Sequence, residues 1–342
     1  MWKKTMMLSV LLTTYNCEAY VDAAIKSVIC QNKPFDWELL IGDDGSTDRT
    51  QERIKEWIIQ FPNHIKLYVM ERNNIESKNG TRAARNRANL LSKAKGKYLI
   101  FLDGDDQYLG TEKLQTQVKI LESDYEKKYS GIAHNIIAND LSSGKKYALT
   151  DPSFNDGCIN SNSYWEEMYF HTNTIMFRNC CVEMMLNEKY RDYLNDNFIT
   201  YIILQYGSLY YLHNEWAQYN LTGSGLWTGK KRTYGCFRNL IIFDLQKEIN
   251  SNFSKASLIR HLYDFRYIFK YYSIDDREYI DVLLDDLNPE RFHYTFLMYK
   301  LGNELSTKEK LEKISLYLKI ISIQNNRRIT KLVKKLNRGG EK

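Results

Sequence analysis

Tyr98-Leu-Ile-Phe-Leu-Asp-Gly-Asp-Asp106 runs four apolar residues straight into three carboxylates. An apolar run of this length reads as a buried strand, and the acidic cluster at its carboxyl end falls where open α/β sheets bind ligands. Asp103, Asp105 and Asp106 repel one another strongly unless a cation shares them, and hard oxygen ligands suit Mg²⁺ or Mn²⁺. Taken alone, the same residues could be an acidic turn capping a helix. The surrounding chain decides between the two.

Upstream, residues 8–12 form a first strand, and residues 19–31 a helix with Tyr20, Ala24, Ile25 and Val28 at helical spacing. Residues 37–41 are the next strand, ending at Gly42-Asp-Asp-Gly-Ser-Thr-Asp48, where Ser46, Thr47 or Asp48 can cap a helix running through Trp57. Residues 66–71 give a third strand and residues 80–94 a third helix. Strands alternating with helices imply right-handed crossovers and a mainly parallel, Rossmann-like sheet flanked by helices. Four polar clusters, at residues 13–16, 43–48, 73–80 and 103–106, then line one sheet edge. Their convergence on one crevice carries more weight than any one of them. After Gly110 the pattern weakens into short aromatic-rich segments, and from Asn239 onward long helical patterns dominate.

The chain has 342 residues, 43% hydrophobic and 26% charged, with four prolines, which fits continuous folded structure without long linkers. Its net charge of +6 is uneven: residues 308–342 hold eleven Lys or Arg against three Glu, a local +8 that leaves about −2 for residues 1–307. A nucleic-acid binder would show a basic face across its folded domain, so nucleic acid is not an expected partner. The six cysteines have no Cys-x-x-Cys spacing and no histidines at zinc-finger distances, as expected of free thiols in a reducing cytoplasm. The six histidines (His64, His134, His171, His213, His261, His293) are scattered without metal-ligand spacing and read as surface or core residues. No Gly-x-Ser-x-Gly elbow follows a strand, which argues against a serine hydrolase. The apolar run near the N-terminus is too short for a signal peptide, and no stretch of eighteen apolar residues spans a membrane.

Residues 8–106 resemble the N-terminal half of family-2 glycosyltransferases with the GT-A fold. The resemblance rests on Ser9-Val-Leu-Leu-Thr-Thr-Tyr-Asn16, Glu38-Leu-Leu-Ile-Gly-Asp-Asp-Gly-Ser-Thr-Asp48, Gly80-Thr-Arg-Ala-Ala-Arg-Asn86 and Gly96-Lys-Tyr-Leu-Ile-Phe-Leu-Asp-Gly-Asp-Asp106, and extends more weakly to about residue 229. It implies a UDP-sugar donor, with Thr13 and Tyr15 lining the base and Asp43 accepting from the uracil imide. It also implies Arg85 near the diphosphate, Asp103 near the ribose, and Asp105 holding a divalent Mn²⁺ or Mg²⁺ ion. For Arg85 the plain alternative is a surface helix arginine. By position in the resemblance, Asp196 in Tyr193-Leu-Asn-Asp-Asn-Phe-Ile-Thr200 is the base that deprotonates an acceptor hydroxyl, with inversion at the anomeric carbon. Its alternative is a cap on the helix starting near Phe198. Gln218-Tyr-Asn-Leu-Thr-Gly-Ser-Gly-Leu-Trp-Thr-Gly229 falls where relatives have a Tyr-Arg-x-His lid, with Thr222 at the place of the histidine. Trp227 could stack on a sugar or anchor the core.

Three regions follow: a nucleotide-sugar-binding half at 1–110, an acceptor-binding half at 111–235 with base and lid, and a helical C-terminal region at 236–342. In the tail, Leu311, Ile314, Leu318 and Ile321, then Ile329, Leu332, Val333 and Leu336, repeat at helical spacing among basic residues. Such a helix can lie on an anionic membrane or pack on the domain with a solvated face. On the membrane reading the acceptor is a lipid-linked saccharide of a bacterial surface glycan, and the protein is cytoplasmic at the inner membrane face. Two rivals are a sugar nucleotidyltransferase, which would carry a glycine-rich basic loop after the first strand, and a non-catalytic nucleotide-sugar-binding scaffold, which loss of the carboxylates would favour. Thr13-Thr-Tyr-Asn16 is not such a loop, and the carboxylates are present.

Overall fold

Strand β4 (Tyr98–Asp103) contains the whole apolar run and ends on the first of the three carboxylates. The computed structural model describes residues 6–72, 81–150, 154–161, 163–164, 170–223 and 232–250. Before β4 come β1 (Leu8–Thr14), α1 (Val21–Ile29), β2 (Trp37–Asp43), α2 (Thr50–Gln60), β3 (Ile65–Val69) and α3 (Arg82–Lys93). These are the predicted βα units. Leu8, Val10, Leu11 and Leu12 of β1 are fully buried, as are Leu99, Ile100 and Leu102 of β4, because helices cover both faces of the parallel sheet. On α1, Val21, Ala24, Ile25 and Val28 form the buried stripe that holds it there.

The second half adds β5 (Gln107–Tyr108), α4 (Lys113–Ser123), β6 (Tyr129–Asp140), β7 (Lys146–Ala148), β8 (Gly157–Ile159), β9 (Met176–Arg178), α5 (Asp196–Leu204) and β10 (Ser208–Leu221). Among the described residues all strands join one sheet, in the order β3-β2-β1-β4-β9-β6-β10-β5, with β7 on β6 and β8 on β10. The first four are mutually parallel, and the second half is mixed. Its two longest strands, β6 and β10, are the parallel pair.

Register explains how distant segments reach one edge. Because β9 runs antiparallel to β4, with Tyr98 opposite Arg178 and Ile100 opposite Met176, the residues just before β9 lie at the carboxyl end of β4. There they form a single 3-10 turn, Thr172–Thr174. In the same way β10 is antiparallel to β5, pairing Gln218 with Gln107, so the next residues of β10 come back beside Asp106.

The chain divides into two units, residues 1–230 and 231–342. Within the second, α6 (Arg232–Ile249) is an 18-residue helix. The tail helices expected beyond it, the residues 73–80 cluster and the greater part of the lid, including Trp227, lie outside the described residues. Among the described residues no helix is long and apolar enough to cross a membrane.

Candidate active site

The loops after β1 and β2 are stitched together. Asp44 N–H donates to the Thr14 carbonyl, Asn16 N–H to Ser46 Oγ and Thr47 N–H to Asn16 Oδ1, each at 2.9 Å. Gly45, at φ +71°, permits the turn. Asp43 is fully buried beneath it and accepts from Ser46 N–H at 2.8 Å, the Ser46 hydroxyl at 2.5 Å and Gln51 Nε2 at 2.7 Å. Beside this turn Tyr15 is 41% exposed, with the Arg72 guanidinium 3.6 Å above its ring centre. Thr13 and Thr14 stand in register with Gly42 and Asp43, so Thr13, Tyr15 and Asp43 lie together at the carboxyl ends of β1 and β2.

Thr13 and Asp103 stand in register on β1 and β4, and the Thr13 hydroxyl donates to Asp103 Oδ1 at 2.8 Å. Arg87 Nη2 donates to both Asp103 oxygens, at 3.2 and 3.4 Å, while Nη1 donates to the Leu194 carbonyl at 3.1 Å and lies 3.7 Å from Asp196 Oδ1. One guanidinium thus spans the two carboxylates. Asn195 caps α5 by accepting from Phe198 N–H at 2.9 Å. Asp196 is the first residue inside the helix, and its Oδ2 faces His171 Nε2 at 3.9 Å. The imidazole of His171 packs on Tyr219, with ring centres 4.6 Å apart.

Asp106 is held from both sides, accepting from Asn173 Nδ2 at 2.5 Å and from Asn220 N–H at 2.8 Å. Asn220 Nδ2 also donates to the Asp105 carbonyl at 2.6 Å, and Asp103 N–H donates to Asn173 Oδ1 at 3.2 Å. Arg85 pairs with Asp192 through two hydrogen bonds of 2.9 and 3.1 Å. Residues 85 and 87 are about 200° apart around a helix, yet both guanidiniums reach the 192–194 segment, Arg85 at Asp192 and Arg87 at the Leu194 carbonyl.

The three clustered carboxyls differ electrostatically. Burial raises the Asp103 carboxyl, but Arg87, His171 and the Thr13 hydroxyl outweigh it and hold the group below the usual carboxylate range. Burial and then the Asp103 charge push Asp105 up to about 6. Burial and its two acidic neighbours push Asp106 well above the ordinary value, against the donors from Asn220 and Asn173. A divalent cation would relieve this repulsion. Asp103, Asp106 and His171 each offer a ligand atom within 4.8 Å of the others, a spacing and donor set that fit a divalent metal ion. Asp105 is beside this trio rather than in it.

Arg87, His171, Asn173 and Asn220 were not foreseen as site residues. The available signal was the polar His171-Thr-Asn-Thr174 run immediately before the apolar Ile175-Met-Phe177, a mirror image of the other strand-end clusters.

The family model Glycosyl transferase family 2 matches residues 9–192, more than half the chain. The chain belongs to glycosyl transferase family 2. The family enzymes most similar in sequence include TuaG of Bacillus subtilis, named for teichuronic acid biosynthesis, which is 33% identical over 120 residues covering 35% of this chain and 43% of that protein. The Escherichia coli UDP-Glc:alpha-D-GlcNAc-diphosphoundecaprenol beta-1,3-glucosyltransferase WfgD is 32% identical over 150 residues, covering 44% of this chain and 54% of that one. The chain therefore matches about half the length of these relatives, or less. Among solved structures, S. aureus TarS 1-349 in complex with UDP-GlcNAc superposes with a TM-score of 0.63 at 14% identity, covering 94% of this chain and 92% of that one. The likeness establishes the fold: this is a GT-A glycosyltransferase architecture.

Proposed function

We propose that this family-2 glycosyltransferase moves a sugar from a UDP-sugar to a saccharide hydroxyl with inversion. The observation that carries the reading is the chain of contacts Thr13–Asp103–Arg87–Asp196–His171, which joins the nucleotide-side carboxylates to a carboxylate at the start of α5. Asp196 accepts the proton of the acceptor hydroxyl as that oxygen attacks the anomeric carbon, and the bond from that carbon to the UDP oxygen breaks on the opposite face. Tyr15, Thr13 and Asp43 hold the uridine, and Arg87 keeps Asp103 and Asp196 in fixed relation. Asp103, Asp106 and His171, with Asp105 adjacent, would hold a divalent ion. Bound there, the ion supplies positive charge against the departing diphosphate.

A lipid-linked acceptor is supported by the name of the E. coli relative, which specifies a diphosphoundecaprenol substrate, and by the basic amphipathic pattern of residues 307–342. A cytoplasmic location at the inner membrane face follows from that acceptor.

The test is UDP release from a panel of nucleotide sugars with Mn²⁺, with Mg²⁺ and with chelator, without acceptor, so that slow hydrolysis reports the donor. One metal-dependent UDP-sugar signal is expected. Silence across the panel together with no UDP binding by calorimetry would favour the non-catalytic scaffold.

A further inference from the structure

The inner face of α4 carries two polar side chains where a helix packed on a sheet would ordinarily present carbon. Lys113 and Gln117, one turn apart, are both fully buried. They reach the same short turn: Lys113 Nζ donates to the Asn173 carbonyl at 2.8 Å, and Gln117 Nε2 to the Thr174 carbonyl at 3.0 Å. Lys113 Nζ also lies 2.7 Å from His134 Nε2. His134 Nδ1 sits 2.6 Å from the Asn135 carbonyl, which assigns the ring proton to Nδ1 and leaves Nε2 to accept from the lysine. The third direction of the amine faces the Tyr108 ring at 4.4 Å.

Among the described residues no carboxylate pairs with Lys113, and burial drives its amine well below the ordinary lysine range. Burying an amine in this way is costly, and a leucine would serve packing alone. What the lysine does that leucine cannot is hold a backbone carbonyl. That carbonyl belongs to Asn173, whose side chain clamps Asp106 and accepts from Asp103 N–H, two residues beyond the His171 that faces Asp196.

We propose that Lys113, assisted by Gln117, is a positioning residue: by gripping the Thr172–Thr174 turn from beneath, it sets where His171 and Asn173 meet the reacting carboxylates. The inference rests on the transferase reading of that site. It predicts a loss of ion and donor affinity out of proportion to any loss of stability, because the turn moves while the sheet stays.

Mn²⁺ binding is followed by electron paramagnetic resonance of the free ion, and UDP binding by calorimetry, for wild type, Lys113→Met and Val118→Ala. Val118 is on the same helix, is 5% exposed and belongs to the apolar core cluster, so its variant controls for stability. Lys113→Met is expected to weaken Mn²⁺ and Mn²⁺-dependent UDP binding at least tenfold, and to lower kcat more than it raises donor KM. Val118→Ala stays within twofold of wild type although its Tm falls. Equal affinities in Lys113→Met and Val118→Ala would overturn the inference while leaving the transferase reading intact. A wild type that binds neither Mn²⁺ nor UDP would overturn both. If Lys113→Met does not fold, Gln117→Met decides on the same criterion: a loss beyond that of Val118→Ala supports the grip, and none refutes it.

Discussion

Arg87 joins two carboxylates that are far apart in the chain, Asp103 at the end of β4 and Asp196 at the start of α5. The cap of α5 comes from Asn195 rather than from Asp196 beside it. Replacing Asp196 by Asn should therefore leave the fold and UDP affinity unchanged while lowering kcat by about 10²–10⁴, the usual contribution of a general base. Steady-state kinetics beside UDP calorimetry would check this, and full retained kcat would remove the residue from the role. Gly42 presents the opposite case, in which structure rather than chemistry constrains the residue. Asn86 Nδ2 donates to the Gly42 carbonyl at 2.7 Å, and a methyl on Gly42 would collide with Asn86 Oδ1 and press on Leu90. Gly42→Ala should cost about 1–3 kcal/mol, the range for overpacking a core, read as a lower denaturant midpoint. An unchanged midpoint would mean that α3 can lift off β2 freely. Asp103 could be picked from the sequence because it ends an apolar run, and Asp43 because the family resemblance implies it. Arg87 could not, because two arginines two residues apart look alike until the helix phase against the sheet is known.

At the scale of elements, the first four strands and three helices follow from apolar periodicity, and the structure places them within a few residues of expectation. The second half was opaque for a physical reason. Helix α4 buries Lys113 and Gln117 next to Leu114, Val118 and Leu121, so its inner face reads as polar in the sequence. Strand β10 carries exposed His213, Asn214 and Glu215 at a break in its register and then Gln218 and Asn220 where it returns to the site edge, and that breaks the strand signal. The same buried polar layer gives a measurable pH response. Burial, and then the Lys113 charge, hold His134 well below its ordinary value, so the folded protein keeps it neutral while the unfolded chain takes up a proton below about pH 6.5. With more protons bound in the unfolded state, stability falls as pH drops, by about 1.4 kcal/mol per unit for this one group. Lys113, also depressed by burial, acts with the same sign on the alkaline side, adding stability as pH rises toward about 10.4. Denaturant unfolding between pH 7 and 5 should show a slope that His134→Gln, which keeps an acceptor for the lysine, makes shallower. An identical slope in the variant would place the acid sensitivity elsewhere.

For the molecule as a whole, charge is the property that separates the two ends. Residues 308–342 carry about +8 while the rest of the chain carries about −2, so the catalytic half has no reason to approach an anionic surface and the tail has. Each basic residue near such a surface contributes roughly 1 kcal/mol, and the six at Arg327, Arg328, Lys331, Lys334, Lys335 and Arg338 could together retain the protein reversibly. Apolar residues at helical spacing between them would add burial that salt does not screen. The two contributions separate experimentally. With vesicles containing anionic lipid, the full chain should co-sediment at low ionic strength. It should be partly released at about 0.5 M salt, where the screening length falls to a few ångströms. Neutral vesicles should retain little. A chain shortened to end at residue 306 should lose retention yet still release UDP from the donor, because the carboxylates, Arg87 and His171 all precede residue 231. Retention that survives the truncation would place membrane contact on the catalytic unit, and equal binding to neutral vesicles would make the contact apolar rather than electrostatic. Loss of UDP release on truncation would instead show that the tail packs on the domain it follows, the alternative that its amphipathic pattern equally allows.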